Sequence, residues 1–259
     1  MLIDYHIHTA MSGDARGEIT DCIKIARDRG LAEIGFSDHY HPEKQDYSMN
    51  RKKLQEYIEK VQTFRKNNSF AVKLGLEVDF IPSFESKIEE ILKLGRFDYV
   101  IGSVHFIDGW GFDNPKYIAE YQKWNLSELY RVYFDSVQKC AKSSLFDIIG
   151  HVDLIKKFGY KPKVAMTKVF KETVEILKEC KVCVEVNTGG LRAPCMEIYP
   201  SKAFLKECFE EGVPITFGSD AHMPADVGRD FDRALELAKS VGYETIVRFS
   251  DRKPEHVQL

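Results

Sequence analysis

The sequence predicts an α/β fold in which parallel strands close into a barrel. Strand-like and helix-like segments alternate along most of the chain, which is typical of repeated βαβ units and a parallel sheet. Several strand segments are apolar almost without interruption, as in YVIGSV, and this pattern indicates strands buried on both faces. With seven or eight such units in 259 residues, a closed barrel fits better than an open doubly wound sheet.

The alternation can be followed from the amino terminus. The strand segments are LIDYH, AEIGFS, AVKLGLEVD, DYVIGSVH, FDIIGH, VCVEVNT and PITFGSD, and ETIVRF is a possible eighth. Amphipathic patterns predict helices between them at residues 18–29, 51–66, 84–94, 126–142, 164–179, 201–211 and about 232–240. Gly30, Gly95 and Gly212 stand where glycine commonly ends a helix.

No linker or low-complexity tract divides the chain, so we expect one barrel domain over residues 1–259. The first strand segment is not followed by GxGxxG, which argues against dinucleotide binding. The segment 106–125 is long, aromatic and glycine-containing. It follows a strand at the expected active-site face, where we expect it to cover a ligand.

The bulk properties exclude some functions. A net charge of −3 and a pI of about 6.3 argue against broad electrostatic binding of nucleic acid. The sequence lacks a signal-like amino terminus and any apolar run long enough to span a bilayer, so we expect a cytoplasmic protein without membrane contact. In that compartment the six cysteines are expected to be free thiols, and the CxxC spacing at 180–183 is interpreted as core packing.

Histidines and acids recur at one place in this pattern, at the ends of the strand segments or just beyond them. Those residues are His6, His8, Asp14, His39, Glu77, His105, His151, Asp220 and His222. Each histidine alone is explained at least as well by a hydrogen-bonded core or cap residue, but their shared position is not. Because the carboxyl ends of barrel strands meet at one face, the pattern predicts a metal-dependent enzyme. By contrast, His41 is expected in a solvated loop and His256 at the surface.

Six histidines and three carboxylates are more ligands than one tetrahedral zinc ion uses. Two or three divalent ions, manganese, zinc or iron, could share a bridging carboxylate and use them all. Three such ions and three carboxylates leave a charge of about +3 if the histidines bind as neutral ligands. Such a pocket favours a dianionic phosphate monoester, and the ions would lower the pKa of bound water.

At these residues the sequence resembles the PHP (polymerase and histidinol phosphatase) family, most closely its monofunctional histidinol-phosphatases. The matching segments are Asp4-Tyr-His6-Ile-His8-Thr9, Ser37-Asp38-His39, Gly75-Leu-Glu77-Val-Asp79, Gly102-Ser-Val-His105, Gly150-His151-Val-Asp153 and Gly218-Ser-Asp220-Ala-His222. The resemblance implies a distorted (β/α)7 TIM-like barrel with a trinuclear metal site. It also implies hydrolysis of L-histidinol phosphate, a small molecule, in histidine biosynthesis.

The resemblance implies three metal positions. One would be held by His6, His8, Glu77 and Asp220. A second would share Glu77 and add His105 and His151. The third would use Asp14, His39 and His222.

The implied reaction is in-line attack on phosphorus by a metal-bridging hydroxide, without a phospho-enzyme. Arg16, Arg192 and Arg229 are candidates to bind the phosphate, because the guanidinium fork matches phosphate oxygens, and Arg192 is also a candidate for assisting catalysis. For each arginine an ordinary surface charge is the alternative. Asp153 and His222 are candidates to protonate the leaving alcohol, although a histidine fully engaged as a ligand would be poorly suited.

Tyr117, with Tyr121 and Trp124, could stack on an imidazole-bearing substrate or could pack the long loop. Three other functions stay open: a phosphotyrosine-protein phosphatase, a PHP-type nuclease, and a metal-binding module without catalysis. The first would need a shallower pocket than the long loop suggests. The second should show a basic track, and no nucleic-acid partner is expected. The sequence leaves the oligomeric state open.

Overall fold

Strands and helices alternate along the chain as the sequence predicts. The computed structural model describes residues 1–43 and 45–259. The strands are β1 (Ile3–Ile7), β2 (Glu33–Phe36), β3 (His39–Tyr40), β4 (Ala71–Leu74), β5 (Glu77–Asp79), β6 (Ile101–Ser103), β7 (Phe106–Ile107), β8 (Trp110–Gly111), β9 (Ile148–Ile149), β10 (Cys183–Asn187), β11 (Ile215–Gly218), β12 (Thr245–Ser250) and β13 (Lys253–Gln258). The helices are α1 (Ile19–Asp28), α2 (Arg51–Asn67), α3 (Glu85–Leu92), α4 (Leu126–Lys142), α5 (Thr167–Glu179), α6 (Lys202–Glu211) and α7 (Phe231–Val241).

The parallel strands form a barrel with seven positions. Three strands pair in the order β1-β2-β4, and six pair in the order β11-β10-β9-β6-β5-β3. Because β2 leads into β3 and β4 into β5, each of these pairs occupies one barrel position with a break in the middle. The two sheets meet where Ile7 forms a parallel bridge with Ala221 and the His8 N–H donates to the Ala221 carbonyl at 2.9 Å. This is the distorted (β/α)7 barrel that the sequence predicts.

Two tyrosines occupy the breaks in the barrel. The Tyr99 hydroxyl donates to the Tyr5 carbonyl at 2.6 Å, and the two rings stack with centroids 4.5 Å apart. The Tyr57 hydroxyl lies 2.7 Å from the Phe36 carbonyl oxygen and 2.9 Å from that of Gly75. The Phe36 carbonyl also accepts from the Gly75 N–H at 2.8 Å, so the backbone groups around the breaks have hydrogen-bond partners.

Two sequence predictions are corrected. ETIVRF does not join the barrel as an eighth strand, because β12 pairs with β13 in a separate antiparallel hairpin. AVKLGLEVD is two strands, β4 and β5, with Gly75 between them. The long loop also has structure that the sequence did not reveal: the hairpin β7–β8 and a 3-10 helix, Pro115–Lys123.

The core lies inside the barrel and between the strands and the helices. β1, β2, β10 and β11 are buried at every residue, which confirms that strands of this barrel are covered on both faces. Each helix buries one apolar stripe, as α1 does with Ile19, Cys22, Ile23 and Ala26. The six cysteines are free thiols, as expected. Within residues 1–43 and 45–259, no helix has both the length and the apolar character to cross a membrane.

Gly75→Ala should destabilise the fold through the barrel break. A β-carbon at this position would lie 2.2 Å from the Tyr99 ring, which is itself fixed by stacking on Tyr5. Overpacking of this kind costs about 1–3 kcal/mol of unfolding free energy, measurable by urea denaturation of the metal-free protein. Gly95→Ala is the matched control, because its β-carbon would meet only the flexible end of Ile58 at 3.0 Å. An equal loss in both variants would contradict the role assigned to Tyr99.

Candidate metal centre

The carboxyl ends of the barrel strands bring the nine predicted histidines and acids together. His6 belongs to β1, His39 and Glu77 begin β3 and β5, and the others lie in the loops that follow the strands. Within the described ranges, three groups of these residues have ligand atoms close enough to share one ion. These groups are His6, His8 and Asp220; His6, Glu77 and His151; and His8, His39 and His222.

Glu77 lies at the centre of the cluster, with five imidazoles around its carboxylate. Its Oε2 is 3.3 Å from His6 Nε2, 3.7 Å from His8 Nε2 and 2.7 Å from His39 Nδ1. Its Oε1 is 3.0 Å from His151 Nε2 and 3.8 Å from His105 Nε2. This is the position that a bridging carboxylate requires.

The other two carboxylates lie on either side of Glu77. Asp220 Oδ1 is 3.4 Å from His8 Nε2 and 3.8 Å from His6 Nε2. Asp14 Oδ2 is 3.4 Å from His222 Nε2 and 3.6 Å from His39 Nε2. The side chains of Asp14 and His222 are 39% and 34% exposed, whereas those of His6 and His8 are fully buried. The cluster therefore extends from the barrel interior to its open face.

The residues fit divalent ions. Among the described residues, five atoms of the cluster are buried and lack a hydrogen-bond partner: His6 Nε2, both ring nitrogens of His8, His151 Nδ1 and Glu77 Oε2. Buried polar atoms in folded proteins almost always have a hydrogen-bond partner. Five buried atoms without one in a single cluster therefore indicate that the cluster binds a ligand. Imidazole nitrogens and carboxylate oxygens suit zinc, iron and manganese.

The charge states of Glu77 and His8 suit metal binding, whereas those of four other histidines do not. Burial alone would raise the pKa of Glu77, but the imidazoles of His39 and His6 hold it well below its ordinary value. Burial and the neighbouring imidazoles of His39 and His222 lower the pKa of His8 to about 3. Glu77 is therefore anionic and His8 neutral at neutral pH, which are the forms that bind metal ions. Against the effect of burial, the neighbouring carboxylates raise the pKa of His6, His39, His105 and His222, so bound ions would displace protons from these rings.

Two buried aspartates hold the loops that carry these residues. Asp38 Oδ1 accepts hydrogen bonds from the backbone N–H and the hydroxyl of both Thr9 and Ser12, at 2.8 to 3.2 Å. Asp4 accepts from the backbone N–H groups of Ser219 and Gly228 at 2.9 and 2.8 Å. Hydrogen bonds to these two buried carboxylates thus hold the loops after β1 and β11 in place.

A cavity of about 990 Å³ opens over the cluster. Residues of the metal cluster line one part of the cavity, and residues of the predicted covering loop, between Phe106 and Glu120, line another. The lining residues of the cluster are Asp14, His39, Glu77, His105, His151, Asp220 and His222. Tyr117 lines the cavity and is 51% exposed, as a substrate-facing ring would be. Tyr121 is buried and stacks on Tyr160, and Trp124 stacks on Trp110, so these two rings pack the loop.

The structure does not place the predicted arginines in the lining of this cavity. Arg192 donates to the backbone carbonyls of Ser219 and Asp220, so it supports the loop that carries Asp220. Arg229 pairs with Asp226 at 2.8 Å at the surface, and Arg16 is exposed. Among the described residues that line the cavity, the lysines are Lys116 and Lys157. The sequence did not indicate them, because neither lies next to a strand end.

Asp153 does not fit the role of general acid. It lies outside the cavity lining, and its carboxylate is buried 3.0 Å from the Lys156 ammonium and accepts a hydrogen bond from the Ser201 N–H at 2.8 Å. His222 does line the cavity. His41 is also corrected: it is buried against Phe106 rather than solvated, while His256 is exposed as expected.

Two carboxylates beneath the cluster received no functional role from the sequence. Asp79 accepts a hydrogen bond from His105 Nδ1 and another from the Tyr47 hydroxyl at 2.7 Å. Glu185, on β10, lies 2.6 Å from His6 Nδ1. Their position in the sequence could have indicated a role, because each is an acid inside an apolar strand segment. A carboxylate on a strand that is buried on both faces requires a polar partner.

Comparison with known proteins agrees with this architecture. The PHP domain matches residues 4–189. A probable histidinol-phosphatase from Deinococcus radiodurans is 38% identical over 260 residues, covering 97% of this chain and 98% of that protein. The histidinol-phosphatase of Lactococcus lactis is 29% identical over 273 residues, covering 97% and 95%.

A crystal structure of histidinol phosphate phosphatase from Lactococcus lactis, complexed with zinc, L-histidinol and phosphate, has the same fold. Its TM-score is 0.83 at 24% identity, and the match covers 98% of each chain. A parallel barrel with histidines and carboxylates gathered at the carboxyl ends of its strands defines a class of metal-dependent enzymes. Within that class, this chain belongs to the PHP domain family.

Arg192→Ala should destabilise the protein, because the carbonyls of Ser219 and Asp220 lose a charged donor. Hydrogen bonds to charged groups contribute about 1.5–3 kcal/mol, and chemical denaturation of the metal-free protein measures the loss. Arg229→Ala is the control, since its exposed side chain should contribute nothing measurable. Unchanged unfolding of the Arg192 variant would show that its side chain does not support this loop.

Proposed function

We propose that this protein is a metal-dependent phosphomonoesterase that hydrolyses L-histidinol phosphate to L-histidinol and phosphate, a step of histidine biosynthesis. The observation that carries the proposal is the convergence of six histidines and three carboxylates on one face of the barrel, at a cavity that the loop from Phe106 to Glu120 helps to line. The names of the relatives that match along nearly the whole chain support the substrate.

We assign the metal ligands as the resemblance implies, and carboxylate–imidazole distances of 3.0 to 3.8 Å within each set support the assignment. His6, His8, Glu77 and Asp220 would hold the first ion. Glu77, His105 and His151 would hold the second, and Asp14, His39 and His222 the third. Bound divalent ions would activate water and neutralise phosphate charge, which is the chemistry that hydrolysis of a dianionic monoester requires.

The chain's own residues would orient the substrate and exclude water. Lys157 lines the cavity with its ammonium 3.1 Å from Asp113, and in the proposed complex it would face a phosphate oxygen. His222 faces the same space, and its Nε2 lies 3.4 Å from Asp14. That nitrogen can bind either a metal ion or the proton that is passed to the leaving oxygen. His222 therefore cannot act as a metal ligand through Nε2 and as the general acid at the same time.

The rest of the lining suits the alcohol part of histidinol phosphate. Four further carboxylates line the cavity: Asp46, Asp108, Asp113 and Glu120. Histidinol carries an ammonium and an imidazole. Asp113 is paired with Lys157 and Glu120 with Lys123, so Asp46 and Asp108 would complement the ammonium group. Tyr47, Trp110 and Tyr117 supply aromatic surface for the imidazole ring. A folded phosphotyrosine segment would need a shallower opening than this loop leaves.

We further infer that residues 1–259 act as one domain, since the apolar core is continuous from Ile3 to Phe249. The absence of nucleic-acid and membrane partners and a cytoplasmic location stay predictions of the sequence.

The first test is phosphate release from L-histidinol phosphate by the purified, manganese-loaded protein. We expect fast, saturable release that is lost after the ions are removed with a chelator and restored when manganese is returned. A phosphotyrosine peptide and a short oligonucleotide are the comparison substrates. Faster release from the peptide, or cleavage of the oligonucleotide, would overturn the proposed substrate.

Asp220→Asn should abolish most turnover without unfolding the protein. An amide lacks the negative charge that an ion in contact with His6 and His8 needs, so the loss should exceed the roughly 100-fold typical of outer-shell partners. Asp232→Asn, on the exposed face of α7, is the control. Turnover of the Asp220 variant close to that of the control would remove this residue from the ligand set.

A further inference from the structure

A second carboxylate, Glu185, lies below the metal cluster and contacts it at two points. Its side chain on β10 is 1% exposed. Glu185 Oε1 is 2.6 Å from His6 Nδ1, and Oε2 accepts hydrogen bonds from the His151 backbone N–H at 2.7 Å and the Asn187 side-chain amide at 3.0 Å. One side chain therefore touches ligand candidates on both sides of Glu77.

The contact with His6 determines how that ring can bind an ion. With Nδ1 donating to the carboxylate, the lone pair is on Nε2, the nitrogen that lies 3.3 Å from Glu77 Oε2 and lacks a hydrogen-bond partner in the described residues. A carboxylate on the far nitrogen fixes the orientation of the ring and makes the near nitrogen a better donor. Glu185 stands in that relation to His6.

The contact with His151 acts on the backbone. His151 has φ = 23°, a conformation that a residue with a side chain adopts only when its surroundings hold it there. The hydrogen bond from its N–H to Glu185 is such a constraint, and it places His151 Nε2 3.0 Å from Glu77 Oε1. Glu185 thus orients the ring of His6 directly and the ring of His151 through the backbone.

The fold makes room for this carboxylate and supplies no other counter-charge. A β-carbon at Gly218 would lie 1.8 Å from Glu185 Oε1, so only glycine fits beside it on β11. In the part of the chain that the structure describes, the only ion pair of Glu185 is with His6. Burying an anion without lysine or arginine is costly, and the positive charge of bound ions offsets that cost.

We propose that Glu185 is a positioning residue of the metal centre, which fixes the ring of His6 and the backbone of His151 and thereby raises the affinity for divalent ions. The inference rests on the proposed metal centre but not on the identity of the substrate. Asp79 holds His105 in the same manner, so two of the imidazoles around Glu77 are each supported by an acid.

The experiment compares Glu185→Gln with the wild-type protein in a zinc-buffered titration, with bound zinc counted by elemental analysis. We expect half-occupancy of at least one ion to require roughly 10–100-fold more free zinc, the usual effect of losing an outer-shell partner. Glu33→Gln is the matched control: Glu33 is also a buried strand glutamate, but it accepts its hydrogen bond from Tyr5 and touches no ligand candidate. The free energy of unfolding of each metal-free variant is measured in parallel.

Zinc binding by Glu185→Gln at the wild-type concentration would overturn the proposal, and so would an equal weakening in Glu33→Gln. If Glu185→Gln does not fold, Glu185→Asp carries the test, because it keeps the charge but is too short to reach both His6 and His151. Weaker zinc binding by the folded aspartate variant supports the positioning role, and wild-type binding refutes it. Since zinc is counted without substrate, failure here is distinct from failure on histidinol phosphate.

Discussion

The carboxylate of Glu77, buried at the first residue of β5 and surrounded by five imidazoles, is the constraint on which the site depends. A buried anion is tolerated only where opposite charge or strong donors surround it. Here the surrounding groups come from β1, β3 and the loops after β6 and β9, so the requirements of one side chain tie four barrel positions together. Divalent ions between Glu77 and these rings would satisfy both the carboxylate and the unpartnered nitrogens.

The breaks in the barrel place Glu77 where it can make these contacts. After the break at Gly75 the chain resumes as β5, with Glu77 paired in register with His39 on one side and Ile101 on the other. The breaks accommodate Tyr99 and Tyr57, whose hydroxyls hydrogen-bond to the carbonyls around them, and the glycines there admit the Tyr99 ring. The distortion of the barrel and the geometry of the cluster therefore have one physical origin.

The sequence was sufficient for the barrel and for the cluster, because both follow from local patterns. His6 and His8 directly follow apolar strand residues, and parallel strands must bring such ends together. The breaks could not be predicted, since they depend on tyrosines brought in from other elements. Arg192 was misjudged because a charge near a strand end does not reveal whether its side chain faces the cavity or a backbone carbonyl. Glu185 was missed because its partner, His6, is 179 residues away.

The distribution of charge across the cavity bears on substrate choice more directly than the ligand set does. Metal ions at Glu77 and Asp220 would make one end strongly positive, whereas the charge of Lys157 is paired with Asp113 at 3.1 Å. The acidic region of the lining consists of Asp46 and Asp108, since Glu120 is paired with Lys123 at 2.7 Å. A molecule with phosphate at one end and an ammonium and an imidazole at the other can satisfy both regions in only one orientation, with phosphorus toward the ions. A phosphate monoester of a neutral alcohol would offer no cation to Asp46 and Asp108, so this asymmetry favours a substrate that carries an ammonium group as well as a phosphate.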